Sequence, residues 1–248
     1  KINGKKIKMW ENIFVKEGDI LSFSGINEGL KSYISFAGGI NISEIMGSKS
    51  FYKRANIGTE IKNNQIIKLN ESDFCQKRKV IKKYIPNYEK EINCRVILGP
   101  QDNLFSEKGI NDFFLFLYKI SNDSDRMGIR LEGKSIEHKD SADIISDGLG
   151  KGAIQVPGNG KPIIMMSDSQ TTGGYTKIGY VIKKDLNKLA QLKPGDRIKF
   201  KKINIKKAQE IFIKEKKKID KIKKLFNRKG QKYNIYVNGK KYNVEVQE

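Results

Sequence analysis

One block of nine residues, 167–175, constrains this chain more than any other feature. It reads SDSQTTGGY and lies between two apolar runs, 163–166 and 178–182. Short apolar runs bounded by turn residues are typical of buried strands. Glycines let a ligand approach the backbone, and hydroxyl and amide groups offer hydrogen-bond donors and acceptors. The block therefore predicts a ligand-facing loop in a β-rich protein, with a turn that satisfies its own backbone as the alternative.

A second polar block lies upstream, at residues 124–133, and reads SDRMGIRLEG. Arg126 and Arg130 are four residues apart, so they share a face in a strand and in a helix. Two guanidinium groups on one face can converge on a carboxylate or a phosphate. Asp125 is placed to orient one of them. The alternative is that both arginines form structural ion pairs, with Asp125 and Glu132.

Other candidate ligands of a small polar substrate lie nearby in the sequence. Gln155 falls between two apolar residues of a predicted strand, so its side chain points away from theirs and into a cleft. Asp168 is the best local carboxylate for proton transfer, with a capping or turn role as the alternative. We therefore predict a site with Asp168 and Arg126 in catalysis, and with substrate-binding roles for Asp125, Arg130, Gln155, Gln170, Thr171, Thr172 and Tyr175.

The sequence lacks the residues or motifs that several common kinds of catalytic and binding site require. The single histidine, His138, lies in a polar stretch and is expected to be exposed, which argues against a catalytic triad, a zinc site or a histidine base. Cys75 and Cys94 have no CxxC spacing, so we expect ordinary thiols, no metal site and a reducing cytoplasm. There is no GxxxxGK[ST] or GxGxxG phosphate-binding loop.

The charge is strongly basic, at +21, but only seven of the 49 basic residues are arginine. Base and phosphate recognition favours arginine, and the lysines run along the whole chain, so we expect a solvated surface and no nucleic acid partner. The densest lysine run, 214–224, has docking to an acidic partner as its alternative. No apolar run approaches the ~20 residues of a membrane span, so no membrane is expected.

The organisation predicted from the sequence has three parts: 1–92, 93–202 and 203–248. The segments VKEGDILSF and LKPGDRIKF look like one element used twice, which suggests two related β-rich lobes. Short helices are predicted from Glu107 to about Tyr118, with Ser106 as the cap, and from Asp185. A basic amphipathic helix over 203–229 and a hairpin turning at residues 238–239, an Asn-Gly pair, follow.

At this point the motifs resemble a known family. GPQDNLF, SDRMGIRLEG, GAIQVP, SDSQTTGGYTKIGYVI and LNKLAQLKPGDRIKF, with GLKSYISFAGGI and IMGSKSFY, look like the KipA family over residues 1–202. It is also called the C subunit of 5-oxoprolinase, allophanate hydrolase subunit 2 or the biotin-dependent carboxyltransferase domain. The resemblance implies a mainly β fold with two cyclophilin-like β-barrel lobes. The family's opening segment with a TVQD-LGR-like motif is missing here, so the first lobe is expected to be N-terminally incomplete.

The resemblance also implies a function. It implies one component of an ATP-dependent 5-oxoprolinase, which opens 5-oxoproline to glutamate with a KipI-like B subunit and a lactam-utilisation A subunit. ATP is then a cofactor of the complex. One alternative is the carboxyltransferase module of a biotin-dependent urea or amide carboxylase. Another is a regulatory protein that antagonises a KipI-like kinase inhibitor. The tail, YNIYVNGKKYNVEVQE, is similar to the first strands of biotin carrier domains, and a generic hairpin is equally consistent with it.

Overall fold

The computed structural model describes residues 1–72, 77–227 and 231–246. The fold is mainly β, as predicted. Two compact units are distinguished, Lys1–Ile203 and Asn204–Glu248. The further division of the first unit at residue 92 stays a prediction.

A closed seven-stranded barrel is the centre of the first unit. The strands of this unit are β1 (Glu91–Leu98), β2 (Leu117–Ile120), β3 (Gly128–Glu132), β4 (Asp143–Gly148), β5 (Ala153–Gln155), β6 (Ile163–Met165), β7 (Thr172–Tyr175), β8 (Lys177–Val181) and β9 (Arg197–Lys202). Around the barrel the order is β1, β8, β5, β6, β3, β2 and β9. Strand β9 pairs parallel with β1 and antiparallel with β2, which closes the ring.

Alternating apolar residues fill the barrel. In β1 the side chains of Ile92, Cys94 and Val96 are buried and Glu91 is exposed, as the period of two requires. A short helix, α1 (Glu107–Leu115), packs Phe113 against Phe200 of β9, with the ring centroids 4.4 Å apart. The core therefore depends on the barrel and on the aromatic face of α1.

The two short helices differ in detail from the sequence prediction. Ser106 caps α1 by accepting a hydrogen bond from the Gly109 N–H, as predicted. The helix ends at Leu115 because Phe116 is already extended, where β2 is about to begin. Helix α2 (Lys183–Leu189) begins two residues before Asp185. Asp185 does not cap it, because its carboxylate is buried and accepts hydrogen bonds from Arg95.

Residues 1–72 and 77–90 are held mainly by isolated β-bridges and by short 3-10 helices at Lys53–Ala55 and Lys82–Tyr84. A tight hairpin turns at Asn3 and Gly4, because Ile2 and Lys5 exchange both backbone hydrogen bonds at 2.9 Å. Many apolar side chains of this segment are exposed; Phe23, for example, is 68% exposed. The described residues of this segment therefore form local backbone pairs but no closed barrel of their own.

The element predicted to occur twice is present twice. In the first copy the Lys16 N–H donates to Asp19 Oδ2 over 2.8 Å, and the Asp19 N–H donates to Lys16 O over 3.1 Å. In the second copy Lys193 and Asp196 make the same two bonds, at 2.8 and 3.0 Å. The third residue of each turn is a glycine at positive φ, which only glycine adopts without strain. The repeated sequence therefore encodes a repeated turn.

The second unit contains helix α3 (Ile205–Asn227) and the strands β10 (Gln231–Val237) and β11 (Lys240–Val246). The basic helix and the hairpin predicted for this region are both present. Asn238 and Gly239 have φ values of 51° and 76°, as a type I′ turn requires.

Cys94 is buried in the barrel with its thiol free, and burial raises its pKa well above the ordinary value. Cys75 lies outside the described residues. Within the described ranges, no helix is long and apolar enough to cross a membrane, and no group of three or more acidic, histidine or cysteine side chains is placed to hold a metal ion.

Candidate functional site

A cleft of about 630 Å³ lies where the β2–β3 loop, the loop after β6 and the 52–57 segment meet. Its volume falls within the range of small-molecule sites, ~300–1,000 Å³. The cleft brings together five of the residues predicted from the sequence, which are Asp125, Arg130, Gln155, Gln170 and Tyr175. Both polar blocks of the sequence therefore reach the same cleft.

Asp125 shapes the β2–β3 loop. Its Oδ1 accepts hydrogen bonds from the backbone N–H groups of Met127 and Gly128, at 2.8 and 3.1 Å. The expectation that Asp125 orients an arginine is therefore wrong, because its carboxylate satisfies backbone donors in its own turn. Ser124 fixes the other side of the loop by accepting from the Arg130 N–H over 3.1 Å.

Arg126 and Asp168 bind each other. Arg126 Nε lies 2.8 Å from Asp168 Oδ2, and its terminal nitrogen donates to Oδ1 over 3.0 Å, which makes a two-pronged ion pair. The Asp168 N–H also donates to Arg126 O over 2.9 Å. Neither side chain is among the residues that line the cleft. The pair joins the two polar blocks beside the cleft. The sequence analysis predicted either a ligand or Asp125 and Glu132 as partners of the arginines, and did not predict this ion pair.

Gln155 is almost completely buried and lines the cleft at the end of β5. Its Nε2 lies 3.5 Å from Tyr175 O, at the limit of hydrogen bonding. A Cβ on Gly173 would lie 2.5 Å from the same Nε2, so residue 173 must be glycine for the amide to keep this position. The glycine pair of the 167–175 block is thus explained in part by close packing against Gln155.

Thr171 and Thr172 are exposed and do not line the cleft. Thr172 begins β7, which pairs with β4 as a two-stranded ribbon separate from the barrel. Thr171 contributes its carbonyl to the ribbon by accepting from the Leu149 N–H over 2.8 Å. The threonines therefore build the ribbon whose end carries Tyr175.

A buried lysine ties this ribbon to the barrel. The Lys177 side chain is completely buried at the start of β8, and its Nζ donates to Asp147 Oδ2 of β4 over 2.7 Å. Gln101 bridges the two by accepting from the Lys177 N–H and donating to Asp147, over 3.2 and 3.1 Å. The hydrogen bond from Lys177 holds the pKa of Asp147 below its ordinary value.

Four charged lining residues were not predicted as site residues from the sequence: Arg54, Asp123, Glu132 and Lys161. Arg54 is separated from most of the cleft residues by more than 60 positions, so no local pattern links it to them. Asp123 directly precedes the second polar block. Lys161 lies beside Pro162 before β6, and its ammonium donates to Gly133 O.

His138 was expected to be exposed, and that expectation is wrong. Its ring is half-buried against Phe105, with centroids 4.7 Å apart. Its Nε2 lies 3.1 Å from Val156 O and 3.0 Å from Thr176 Oγ1. Burial lowers the pKa of His138 below the ordinary value. The histidine is therefore fixed by core contacts and is not among the cleft residues.

Comparison with known proteins gives a consistent result. The C subunit of the Escherichia coli 5-oxoprolinase is 32% identical over 200 residues, which are 78% of this chain and 63% of that protein. The corresponding C subunit of the Haemophilus influenzae 5-oxoprolinase is 29% identical over 87% of this chain and 70% of its own length. The crystal structure of the K. lactis urea amidolyase superposes with a TM-score of 0.83 at 27% identity, over 90% of this chain and 15% of that chain.

These relatives differ in length from the present chain, which spans less than two thirds of the E. coli protein and a small part of the urea amidolyase. The family described as carboxyltransferase domain, subdomain A and B, matches residues 1–202. The match covers the barrel, the cleft and the segment before them, and it has the extent expected from the motifs. The chain belongs to the carboxyltransferase domain, subdomain A and B, family.

Proposed function

We propose that this chain is a component of an ATP-dependent 5-oxoprolinase, which converts 5-oxoproline to glutamate. Two relatives are named as the C subunit of a 5-oxoprolinase. The family match over residues 1–202 covers the residues that form the cleft. A protein named as one subunit implies a complex. The predicted partners are a KipI-like B subunit and a lactam-utilisation A subunit, and the predicted location is the cytoplasm.

The observation that carries the proposal is the chemistry of the cleft. Gln155, Gln170 and Tyr175 present amide and hydroxyl groups, and Arg130 presents a guanidinium. A lactam has one amide N–H and one C=O, which need such partners once they leave water. Among the described residues that line the cleft there is no histidine and no cysteine. The site is thus equipped to hold and polarise an amide, and its one serine, Ser121, has no histidine beside it among these residues.

The proposed roles follow from the positions. Gln155 is the best orienting group because it is nearly buried and packs on Gly173. Asp123 and Glu132 are the carboxylates in the cleft that can accept a proton. Arg126 and Asp168, predicted as catalytic, are proposed as positioning residues, because their ion pair joins the β2–β3 loop to the loop after β6.

ATP is assigned to the complex and its phosphates are not assigned to this cleft. The sequence has no phosphate-binding loop, and three carboxylates line the cleft, from Asp123, Asp125 and Glu132. These carboxylates cancel the charge of the three basic lining residues, so the cleft offers a triphosphate no net positive charge. When bound in the complex, ATP supplies the free energy for opening the lactam. This chain's residues hold the amide in place.

The second candidate is the carboxyltransferase module of a biotin-dependent carboxylase acting on urea. The likeness to the K. lactis urea amidolyase structure favours it. Urea is an uncharged diamide that the amide groups of the cleft also fit. The hairpin of β10 and β11 is consistent with the start of a carrier domain, although no biotinylation motif occurs in this sequence.

A substrate comparison separates the two candidates. The full-length protein is co-purified with its partner subunits, and ATP consumption is measured with 5-oxoproline and with urea plus bicarbonate. We expect stimulation by 5-oxoproline alone. Stimulation by urea that requires bicarbonate and is blocked by avidin would replace the oxoprolinase assignment with carboxyl transfer.

A further inference from the structure

Most of the arginines of this chain have a partner inside the protein. Arg95 binds Asp185, Arg126 binds Asp168 and Arg197 binds Glu91. Arg78 is also engaged, and Arg228 lies outside the described residues. The two remaining arginines, Arg54 and Arg130, make no side-chain hydrogen bond or ion pair with any described residue. Both line the cleft.

Different backbone hydrogen bonds position these two arginines. Arg130 lies in the middle of β3, whose neighbours Ile129 and Leu131 are buried, so its side chain points out of the barrel. Its backbone N–H and C=O are both bonded to Ser124 Oγ, at 3.1 and 3.3 Å. The backbone that carries the guanidinium is thus fixed while the guanidinium itself has no protein partner among the described residues.

Arg54 is carried by a tight loop of the N-terminal segment. Tyr52 and Ile57 close the loop by exchanging both backbone hydrogen bonds, at 2.7 and 3.2 Å. Within it, the 3-10 turn Lys53–Ala55 ends at Asn56, which adopts the left-handed conformation that asparagine tolerates. Arg54 therefore reaches the cleft from a defined loop and not from an extended surface strand.

The charges around the two arginines select the kind of anion. The cleft has three basic residues, Arg54, Arg130 and Lys161, and three acidic ones, so its formal charges cancel in a chain of net charge +21. A polyanion gains little from such a site. A single carboxylate bound by two planar guanidinium groups gains directional, charge-assisted hydrogen bonds that do not depend on the overall field.

We infer that Arg54 and Arg130 form a clamp that binds the carboxylate of a small amide or lactam, and that this clamp makes the site selective for a carboxylated lactam over a neutral one. The inference deepens the proposed function and rests on it for the choice of substrate. Gln155, Gln170 and Tyr175, which line the same cleft, then bind the amide of the ligand. Arg54 is a specificity-determining residue, contributed by the segment that precedes the barrel.

The test is ligand binding by the full-length protein, measured calorimetrically with one probe at a time. The probes are 5-oxoproline, 2-pyrrolidinone (the same ring without the carboxylate), inorganic phosphate and ATP. The variants are Arg54→Gln and Arg130→Gln, with Arg54→Lys to keep the charge and lose the planar fork. Arg197→Gln is the matched control, because Arg197 is an exposed arginine outside the cleft that binds Glu91. Melting temperatures confirm that each variant is folded.

We expect 5-oxoproline to bind about tenfold or more tightly than 2-pyrrolidinone, which is the contribution of one or two charge-assisted hydrogen bonds. Arg54→Gln and Arg130→Gln should each remove most of that difference, Arg54→Lys should restore part of it, and Arg197→Gln should leave it unchanged. Equal binding of the two lactams overturns the clamp. So does unchanged affinity in Arg54→Gln, absence of 5-oxoproline binding, or tighter binding of phosphate or ATP.

Failure of the clamp and failure of the proposed function give different results. If the complex turns over no 5-oxoproline but the isolated protein still discriminates by the carboxylate, the assignment to oxoprolinase fails and the clamp stands. If the complex is active and Arg54→Gln has wild-type KM for 5-oxoproline, the clamp fails and the proposed function stands.

Discussion

Arg126 and Arg130 are four residues apart and have different environments. Arg126 is held by Asp168, whereas Arg130 has no described partner and faces the cleft. The difference comes from a residue 42 positions away in the sequence, Asp168. Local spacing places two arginines on one side of the chain, but the tertiary contact decides which of them is free for a ligand.

At the same scale, Gly173 sets the position of an amide. We predict that Gly173→Ala lowers kcat/KM of the complex by about tenfold to a hundredfold, because the new Cβ displaces the Gln155 amide from its orienting position. The melting temperature should change little, since the displaced atom is the end of a flexible side chain. Gly174→Ala is the control, because its nearest contact would be an ordinary 3.5 Å. Equal activity of both variants would contradict the role of Gln155.

His138 predicts a pH dependence of stability. Burial lowers its pKa in the folded state, so the unfolded chain binds more protons once the pH falls below the unfolded value of about 6.5. Stability from this group is therefore complete above that pH and decreases as the pH falls toward the folded pKa. Denaturant midpoints at pH 7.5 and 5 should differ less in His138→Gln than in the wild type. An equal difference in both proteins would show that His138 does not contribute to the pH dependence of stability.

At the scale of elements, the β4–β7 ribbon depends on one buried ammonium. Asp147→Ala leaves Lys177 without its carboxylate in a fully buried position, and an unpaired buried charge is strongly unfavourable. We predict that the melting temperature falls by several degrees and that kcat falls as well, since the ribbon ends at Tyr175. Adding Lys177→Met should restore much of the stability, because a methionine fits the buried space without a charge.

A double-mutant cycle measures that coupling. If the two substitutions add independently in the melting temperature, the ion pair does not hold the ribbon. Recovery of stability without recovery of kcat would show that the ribbon is folded but no longer positioned for the substrate.

The elements that sequence reasoning found are those encoded locally. The two Gly-Asp turns, the Ser106 cap and the Asn238 hairpin need only residues within a few positions of each other. The helix start at Lys183 was missed because Asp185, a good capping residue, is instead recruited by Arg95 on β1. The contribution of Arg54 to the cleft was missed for the same reason, because the contact joins parts of the chain distant in sequence.

In the first unit as a whole, a closed barrel follows a segment whose described residues form isolated β-bridges. The cleft takes most of its lining from the barrel and one arginine from residues 1–90. Two described segments are thus needed to complete one site, which fits a family described by two subdomains. The three-part division at residues 92 and 202 and the two-lobe arrangement within it remain predictions for the full-length protein.

We propose that this chain is required for opening 5-oxoproline. The most direct test is ATP-dependent glutamate release from 5-oxoproline by the full-length protein mixed with the proposed KipI-like and lactam-utilisation partners, with each component omitted in turn. The account predicts release only when all components are present, and loss of release when Gln155→Ala replaces the wild-type protein. Undiminished release from the partners alone would contradict it.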